Sequence, residues 1–392
     1  MSSSRRRHCP CSPSATSPLD VDDLLSEILF RLPPESSSLP RVSAVCKSWR
    51  RLVSDPSFVH HFRIHHRRNP PILGCFDIDH GFSFQPTLEA PNRVPPERFS
   101  LQFSTHFRPL GCRHGLVLFL DASLDQVLVW DPVTGEQHRL AVPPGFPPIG
   151  DIHGAVVRAA GGAHFRVVLV GGGKQVGRAL ARVYSSETGV WGSFLSTWLP
   201  SEDPTMDFSS MPAMVFSIMP AVLVGNSLCW SIFAGSLSTL EFDLDRQSLV
   251  VTSAPVNFFG HIFVKDSCNV TVMRAEGGGM GFLVSDSTAQ LWKKHTDSVG
   301  VVWWVPEKTI EFHKLLPLKS ENERPQLVGF AEENNVAFFS TLGGVFMVQL
   351  ESLEVKKLFG ASIAHQYQPL ETVYTPETGM GCGDGAELLY KT

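Results

Sequence analysis

The chain has few features of membrane, secreted or redox-active proteins. No apolar run approaches the roughly 20 residues that a membrane-spanning helix needs, and no apolar segment of the kind that directs secretion opens the sequence. The eight cysteines form no framework of spacings typical of disulfides. Cys46, Cys229 and Cys268 lie in apolar stretches, where we expect buried reduced thiols. We therefore expect a cytoplasmic and/or nuclear protein without a membrane partner.

Charged residues are also scarce, at 18% of the chain, and their signs are unevenly distributed. Residues 1–70 hold 11 Lys and Arg against 6 Asp and Glu, a balance of +5, so the remainder carries −10 to give the total of −5. Phosphate binding depends on clustered Lys and Arg. The acidic larger part of the chain therefore argues against nucleic acid as a partner.

Nucleotide-binding motifs are incomplete. Val170–Lys174 is glycine-rich and follows a predicted strand, but a P-loop would need Ser or Thr where Gln175 stands, and a dinucleotide fingerprint would need Gly where Val176 stands. We expect hairpin turns here and at Gly277–Gly281.

Catalytic and metal-binding patterns are missing as well. His61 and His65 have the i, i+4 spacing of a metal-binding pair, but no carboxylate or cysteine is placed to complete a site. No Ser-His-Asp or paired-carboxylate arrangement can be picked out, and four tyrosines are few for a propeller oxidase. We expect no catalytic residue, no metal and no cofactor.

The helical spacing of apolar residues in residues 19–66 predicts a small helical bundle. A helix should begin at Asp20 or Asp22 and end at Pro33-Pro34. Its apolar stripe consists of Leu24, Leu25, Ile28, Leu29 and Leu32.

Two further helices are predicted after a hinge of three serines. Pro40 suits the first turn of the second helix, whose apolar stripe runs from Val42 to Val53. Asp55-Pro56 should cap the third helix, which turns Phe58, Val59 and Phe62 inward. About 48 residues bury too little surface to be stable alone, so a partner should cover part of it.

Two motifs in this segment resemble the F-box of large plant protein families. They are the run from Leu24 through Pro33 and the run Val45-Cys46-Lys47-x-Trp49-Arg50-x-Leu52-x-Ser54-Asp55-Pro56. The sequence departs from the family at Asp20-Val21, where a Leu-Pro start is frequent, and at the three-serine hinge. The resemblance implies docking to the Skp-type adaptor of a cullin–RING ubiquitin ligase.

The adaptor-facing positions follow from the resemblance, some of them facing the adaptor and some the core of the bundle. Carried over residue by residue, they are Leu25, Ile28, Leu29, Leu32, Pro33, Leu39, Val42, Val45, Cys46, Trp49 and Leu52.

The remaining sequence is rich in turn residues and repeats one β pattern. From about residue 110, apolar strand pairs recur at Gly115–Phe119 with Val127–Glu136, Phe165–Val170 with Val183–Trp191, Ser227–Ser231 with Leu240–Asp245, Gly281–Val284 with Val301–Glu307, and Val336–Phe339 with Val345–Leu350. Turn apices near 135, 189, 246, 307 and 352 approach the roughly 50-residue period of kelch-type blades. Residues 71–108 and 362–390 can complete a sixth blade and close the ring.

The predicted fold is thus a multidomain α+β chain, a three-helix F-box head followed by an all-β propeller of six blades, with five to seven compatible with the pattern. The propeller resembles the kelch-like, F-box-associated domains of plant F-box proteins; a β-sandwich or an open mixed-β domain is the alternative. We expect three parts: a disordered Ser/Arg-rich tail at residues 1–18, the F-box domain at residues 19–68 and the propeller at residues 69–392.

Together these resemblances imply a non-catalytic substrate receptor of an SCF-type ubiquitin ligase, whose propeller binds a protein target. The candidate target-binding residues are large aromatic side chains that would otherwise belong to blade cores: Trp198, Phe258, Phe259, Trp303 and Trp304. Two other functions stay open, an F-box scaffold without a degradation target and a propeller enzyme with a helical accessory head.

Overall fold

The computed structural model describes residues 22–101, 107–146, 152–159, 162–172, 177–200, 214–234, 236–254, 270–285, 287–320, 322–360 and 366–376. The predicted tail 1–18, Gly173-Lys174 and the candidates Phe258 and Phe259 lie outside these residues. Contacts divide the chain into a helical unit up to His66 and a β unit from Arg67 to Tyr374.

Among the described residues, the helical unit has four short α-helices rather than the three predicted. They are α1 (Asp22–Leu29), α2 (Ser38–Ser43), α3 (Lys47–Val53) and α4 (Pro56–His65), and a 3-10 turn (His66–Arg68) follows. The predicted second helix is broken because Cys46 has an extended backbone, with φ −159° and ψ 172°, and becomes the N-cap of α3. The first helix ends at Leu29, and a tighter turn continues to Leu32.

The third predicted helix is present as α4 and begins as its sequence indicates. Asp55 is the N-cap, and its Oδ1 accepts a hydrogen bond from the Phe58 N–H at 3.0 Å. Pro56 occupies the first turn. Phe58 and Phe62 are buried, and the Phe58 ring stacks on Phe30 at 5.0 Å, so aromatic packing holds this small core together.

The β unit is a six-bladed propeller of antiparallel sheets. Blade 1 holds β1 (Ile72–Asp77), β2 (Ser83–Pro86) and β25 (Tyr367–Glu371); blade 2 holds β3 (Phe107–Arg113), β4 (Leu116–Asp121), β5 (Gln126–Trp130) and β6 (Gln137–Ala141); blade 3 holds β7 (Ile152–Arg158), β8 (Phe165–Gly172), β9 (Arg178–Ser185), β10 (Val190–Trp191) and β11 (Leu195–Trp198).

The other three blades follow in chain order. Blade 4 holds β12 (Val215–Phe216), β13 (Val222–Val224), β14 (Ser227–Ala234), β15 (Ser236–Asp243) and β16 (Ser248–Ser253); blade 5 holds β17 (Val270–Arg274), β18 (Met280–Ser285), β19 (Thr288–Thr296) and β20 (Val302–Glu311); blade 6 holds β21 (Gln326–Ala331), β22 (Val336–Thr341), β23 (Gly344–Gln349) and β24 (Val355–Phe359). A short helix, α5 (Phe312–Leu315), and a 3-10 turn (Pro96–Phe99) lie in connecting segments.

Blade 1 closes the ring, as the sequence predicts. The late strand β25 pairs antiparallel with the early strand β1, from Ile72 opposite Glu371 to Asp77 opposite Tyr367. Both strands are buried along their whole length, and β25 also contacts β3 and β21 in the flanking blades. Closure removes the exposed sheet edges that an open arrangement would leave.

The repeated turn that ends the third strand of a blade has a left-handed residue near its end. In blade 2, Asp131 Oδ1 accepts a hydrogen bond from Val133 N–H at 2.9 Å, and Gly135 has a φ of 79°. The equivalent left-handed residues in the later blades are Gly189, Gln247, Gly300 and Leu353.

Four of the five predicted turn apices agree with these positions, and the one near residue 307 is wrong. The turn is at Gly300, and Pro306-Glu307 lies inside β20 at an irregularity in its pairing with β19. Proline is tolerated there because β20 is the outermost strand of the blade and its missing N–H is not needed. The strand pair predicted from Gly281–Val284 and Val301–Glu307 therefore skips β19.

Candidate functional site

The helical unit leaves part of its apolar surface uncovered. Leu25 and Leu29 are buried, whereas Leu24 and Ile28, one position earlier in each case, are 51% and 44% exposed. After α2, Val45 is 60% exposed. Leu24 and Ile28 are one turn apart on α1 and share a helix face, and contiguous exposed apolar surface is typical of an interaction surface. We call the exposed side chains of Leu24, Ile28 and Val45 together the apolar patch.

The positions expected to face an adaptor divide into three groups. The buried ones are Leu25, Leu29, Leu39 and Val42; the half-buried ones are Leu32, Trp49 and Leu52; the exposed ones are Ile28, Pro33, Val45 and Cys46. Their contact with an adaptor stays a prediction. Leu24 was absent from the expected set, although its i, i+4 spacing to Ile28 places both on one helix face.

The cysteines only partly follow expectation. Cys46 is exposed instead of buried, because its Sγ accepts a hydrogen bond from the Trp49 N–H at 3.5 Å as the cap of α3. Cys229 is a buried thiol, and burial is the main cause that raises its pKa well above the ordinary value. Cys268 lies outside the described residues.

Two of the candidate tryptophans in the propeller are exposed, which does not fit a place in a blade core. Trp198 is 63% and Trp303 is 44% exposed. Trp304 is half-buried instead, since its ring lies 4.9 Å from that of Phe282 and its Nε1–H donates to the Ser253 carbonyl at 3.1 Å. The structure therefore brings no two of the candidates into one site among the described residues.

The axis of the propeller is filled by an ion pair that sequence analysis did not detect. Arg113, at the end of β3, donates to both carboxylate oxygens of Glu332, and both side chains are buried. The same guanidinium donates to the carbonyl of Ala221, while Glu332 accepts from the Leu223 N–H at 2.9 Å. Blades 2, 4 and 6 are thereby joined across the axis.

The ion pair leaves little room at the centre of the ring. A cavity beside it, lined by Cys112, Thr271, Glu332 and Gln368 among others, has a volume of about 10 Å³. That volume is close to that of a single water probe. This cavity could hold no more than a single water molecule.

A second charged cluster lies beside the first. Glu333 is 3.6 Å from His114 Nε2 and 3.6 Å from Arg274 Nη1. His114 and Glu333 both have shifted pKa values, and burial is the largest single cause in each case. It lowers the pKa of His114, whereas for Glu333 it is outweighed by the hydrogen bond to His114 and the charge of Arg274, and the pKa falls. His114 is therefore neutral near pH 7 and contacts Glu333 as a hydrogen-bond partner, whereas Arg274 supplies the positive charge opposite Glu333.

Glu371, the last residue of β25, gives this ring a pH-dependent stability. Burial raises its pKa to about 7, against hydrogen bonds from Asn334 that lower it. A carboxyl group with a raised pKa binds a proton on folding, so its contribution is complete below the unfolded pKa near 4.5 and is lost as the pH rises through about 7.

We therefore expect Glu371→Gln to flatten the pH dependence of stability. The unfolding free energy of the wild type should fall relative to that of the variant between about pH 4.5 and about pH 7. Urea denaturation of the full chain at several pH values measures this, with the exposed Glu97→Gln as control. Parallel curves for the wild type and Glu371→Gln would contradict the prediction.

The described residues show no arrangement typical of catalysis by a metal. Within them, no group of three His, Cys, Asp or Glu side chains could hold an ion. A separate polar cavity of about 240 Å³ between blades 2 and 3 contains Asp131 and Arg158, which pair with each other. In the same part of the chain, no helix is long and apolar enough to cross a bilayer.

Comparison with known proteins agrees with this geometry. A family model of the F-box domain matches residues 21–61. Over 129 residues the chain is 32% identical to an Arabidopsis thaliana protein that is named as an F-box/kelch-repeat protein, covering 29% of this chain and 30% of that one. Over 137 residues it is 31% identical to an Arabidopsis thaliana protein that is named as an F-box protein, covering 33% of each. The matched part thus spans about a third of the length of these relatives.

Solved structures resemble the propeller more distantly. One is the crystal structure of a protein of unknown function from Bacteroides caccae. The match covers 69% of this chain and 89% of that protein, with 10% sequence identity and a TM-score of 0.38. A similarity this low carries no functional argument. The chain therefore carries an F-box domain at residues 21–61, followed by a six-bladed, kelch-type β-propeller.

Proposed function

We propose that the chain is the substrate receptor of an SCF-type cullin–RING ubiquitin ligase. The observation that carries the proposal is the apolar patch of Leu24, Ile28 and Val45 on the F-box domain. Covering this patch with an apolar groove of a Skp-type adaptor would bury surface that the small helical unit leaves in water.

The propeller supplies the second half of the proposed function, the binding of a target protein. Its axis is closed by Arg113 and Glu332, so it presents surfaces rather than a reaction chamber. The receptor contributes proximity and orientation, and a recruited conjugating enzyme transfers ubiquitin. We accordingly propose a non-catalytic role, in the cytoplasm or nucleus.

The test is co-purification of the full chain with a Skp-type adaptor. Ile28→Glu with Val45→Glu should weaken adaptor binding about hundredfold or more, because two charges would enter an apolar interface. Both side chains are exposed, so the substitutions leave the core intact. Leu29→Asp would be a poorer choice because Leu29 is buried.

A matched control adds two charges to exposed leucines of the propeller. Leu124→Glu with Leu342→Glu changes the net charge equally, and adaptor binding should be unaffected. A wild-type chain that is folded and does not bind the adaptor would refute the proposal. A receptor is distinguished from a scaffold if proteins that co-purify with the chain accumulate when cullin activation is blocked.

A further inference from the structure

Blade 3 carries arginine side chains stacked on exposed aromatic rings. The Arg178 guanidinium lies 4.0 Å from the centre of the Trp198 ring, and the Arg182 guanidinium lies 4.7 Å from the centre of the Phe194 ring. Both distances are within the range of favourable cation–π contact. We call these four residues the arginine ladder.

The ladder is formed by the pairing of two outer strands. β11 pairs antiparallel with β9, with Trp198 opposite Arg178 and Leu195 opposite Ala181. Side chains two residues apart share a face of a strand, so Arg178 and Arg182 point to the same side as Trp198. Ala179 and Ala181 take the opposite face and are buried in the core shared with blade 4.

The guanidinium groups of the arginine ladder have N–H donors without an acceptor among the described residues. In the described part of the chain, neither Arg178 nor Arg182 pairs with a carboxylate. The Nε–H of Arg178 is buried, so only the terminal N–H groups of that side chain are left for a ligand. Arg182 donates its Nε–H to the Gly192 carbonyl at 2.6 Å, and its terminal N–H groups have no acceptor among the described residues. A guanidinium stacked by its face presents its in-plane N–H groups outward, the geometry that binds a carboxylate through two parallel hydrogen bonds.

We propose that the arginine ladder binds an acidic, extended segment of the target protein. The two arginines are four residues apart on one strand, roughly 13 Å along it. Two carboxylates four residues apart on an extended segment have the same spacing. Such a segment can lie beside β11, which is at the outer edge of the blade.

Charge complementarity favours this occupant over nucleic acid. The chain beyond residue 70 carries a net charge of −10, so two arginines that have no carboxylate partner among the described residues form a local basic site on an acidic body. A phosphate backbone would need a longer basic track. The inference rests on the proposed function, since it assigns the target-binding surface of the receptor.

The test measures fluorescence anisotropy of labelled peptides with the full chain bound to its Skp-type adaptor. The probe is a nine-residue serine- and threonine-based peptide with two glutamates four positions apart, and its partner peptide has glutamines there. The glutamate peptide should bind, the glutamine peptide should not, and rising salt should weaken binding.

Two variants test the location of the site, and a third serves as the control. Arg178→Gln with Arg182→Gln should weaken binding about tenfold or more, and Trp198→Ala about threefold because the stacked arrangement is lost. Arg246→Gln with Lys319→Gln removes two exposed positive charges elsewhere and should leave binding unchanged.

Several outcomes would overturn the inference. They are equal binding of the two peptides, equal losses in the ladder and control variants, no binding to the wild type, or binding only when phosphoserines replace the glutamates. Adaptor binding is measured in the same samples. If it is intact while the glutamate peptide fails to bind, the ladder assignment is wrong and the receptor proposal stands.

Discussion

Arg113→Leu should lower the stability of the propeller by about 3–5 kcal/mol, because Glu332 would be left as an uncompensated buried charge. The Leu side chain also removes the hydrogen bond that Arg113 donates to the Ala221 carbonyl. Both effects act at the axis, where blades 2, 4 and 6 are joined. Chemical denaturation of the full chain measures the change.

A second variant separates the cost of a buried charge from the cost of lost packing. In Arg113→Leu with Glu332→Leu neither charge of the pair stays buried, so the double variant should be more stable than Arg113→Leu alone. Arg246→Leu, on an exposed turn, is the control and should change stability little. A single variant as stable as this control would show that the axis does not depend on the ion pair.

Removing the closing strand should have a still larger effect. A chain that ends at residue 365 lacks β25 and therefore the buried side chains of Tyr367 and Leu370. The inner side of β1 would lose its hydrogen-bonded partner, and the flanking blades would lose their contact with β25. We expect an open ring that is aggregated or rapidly digested by protease.

The matched control is a chain that ends at residue 376. It keeps every strand of the described residues, so its protease resistance and unfolding transition should equal those of the full chain. If the chain that ends at 365 were equally resistant, closure by β25 would not be what stabilises the ring.

Local features of the fold could be predicted because short-range chemistry determines them. Asp55-Pro56 capped a helix as expected, and Asp131 through Gly135 formed the expected turn. The strand β19 was missed because Lys293-Lys294-His295 breaks its apolar pattern. Lys294 lies within this strand because its Nζ is paired with Glu241 of blade 4 at 2.6 Å.

The axial ion pair and the candidate binding surfaces were less predictable because they depend on contacts between distant residues. Arg113 and Glu332 are 219 positions apart, and no motif connects them. Trp198 was singled out for its residue type alone, and its stacking on Arg178 depends on a strand register. The helical spacing of Leu24 through Leu32 indicated an apolar stripe but left open which of its members face outward.

Blade 1 has a consequence for how the protein is made. During synthesis β1 leaves the ribosome early, and its partner β25 follows after about 290 further residues, roughly 15 to 60 s later at ordinary rates of elongation. For that interval the F-box domain has been synthesised completely, while the propeller is unfinished and its first sheet lacks a strand. Chaperone protection of the nascent chain should therefore matter more for this protein than for one of equal size in which each blade is complete as soon as it has been synthesised.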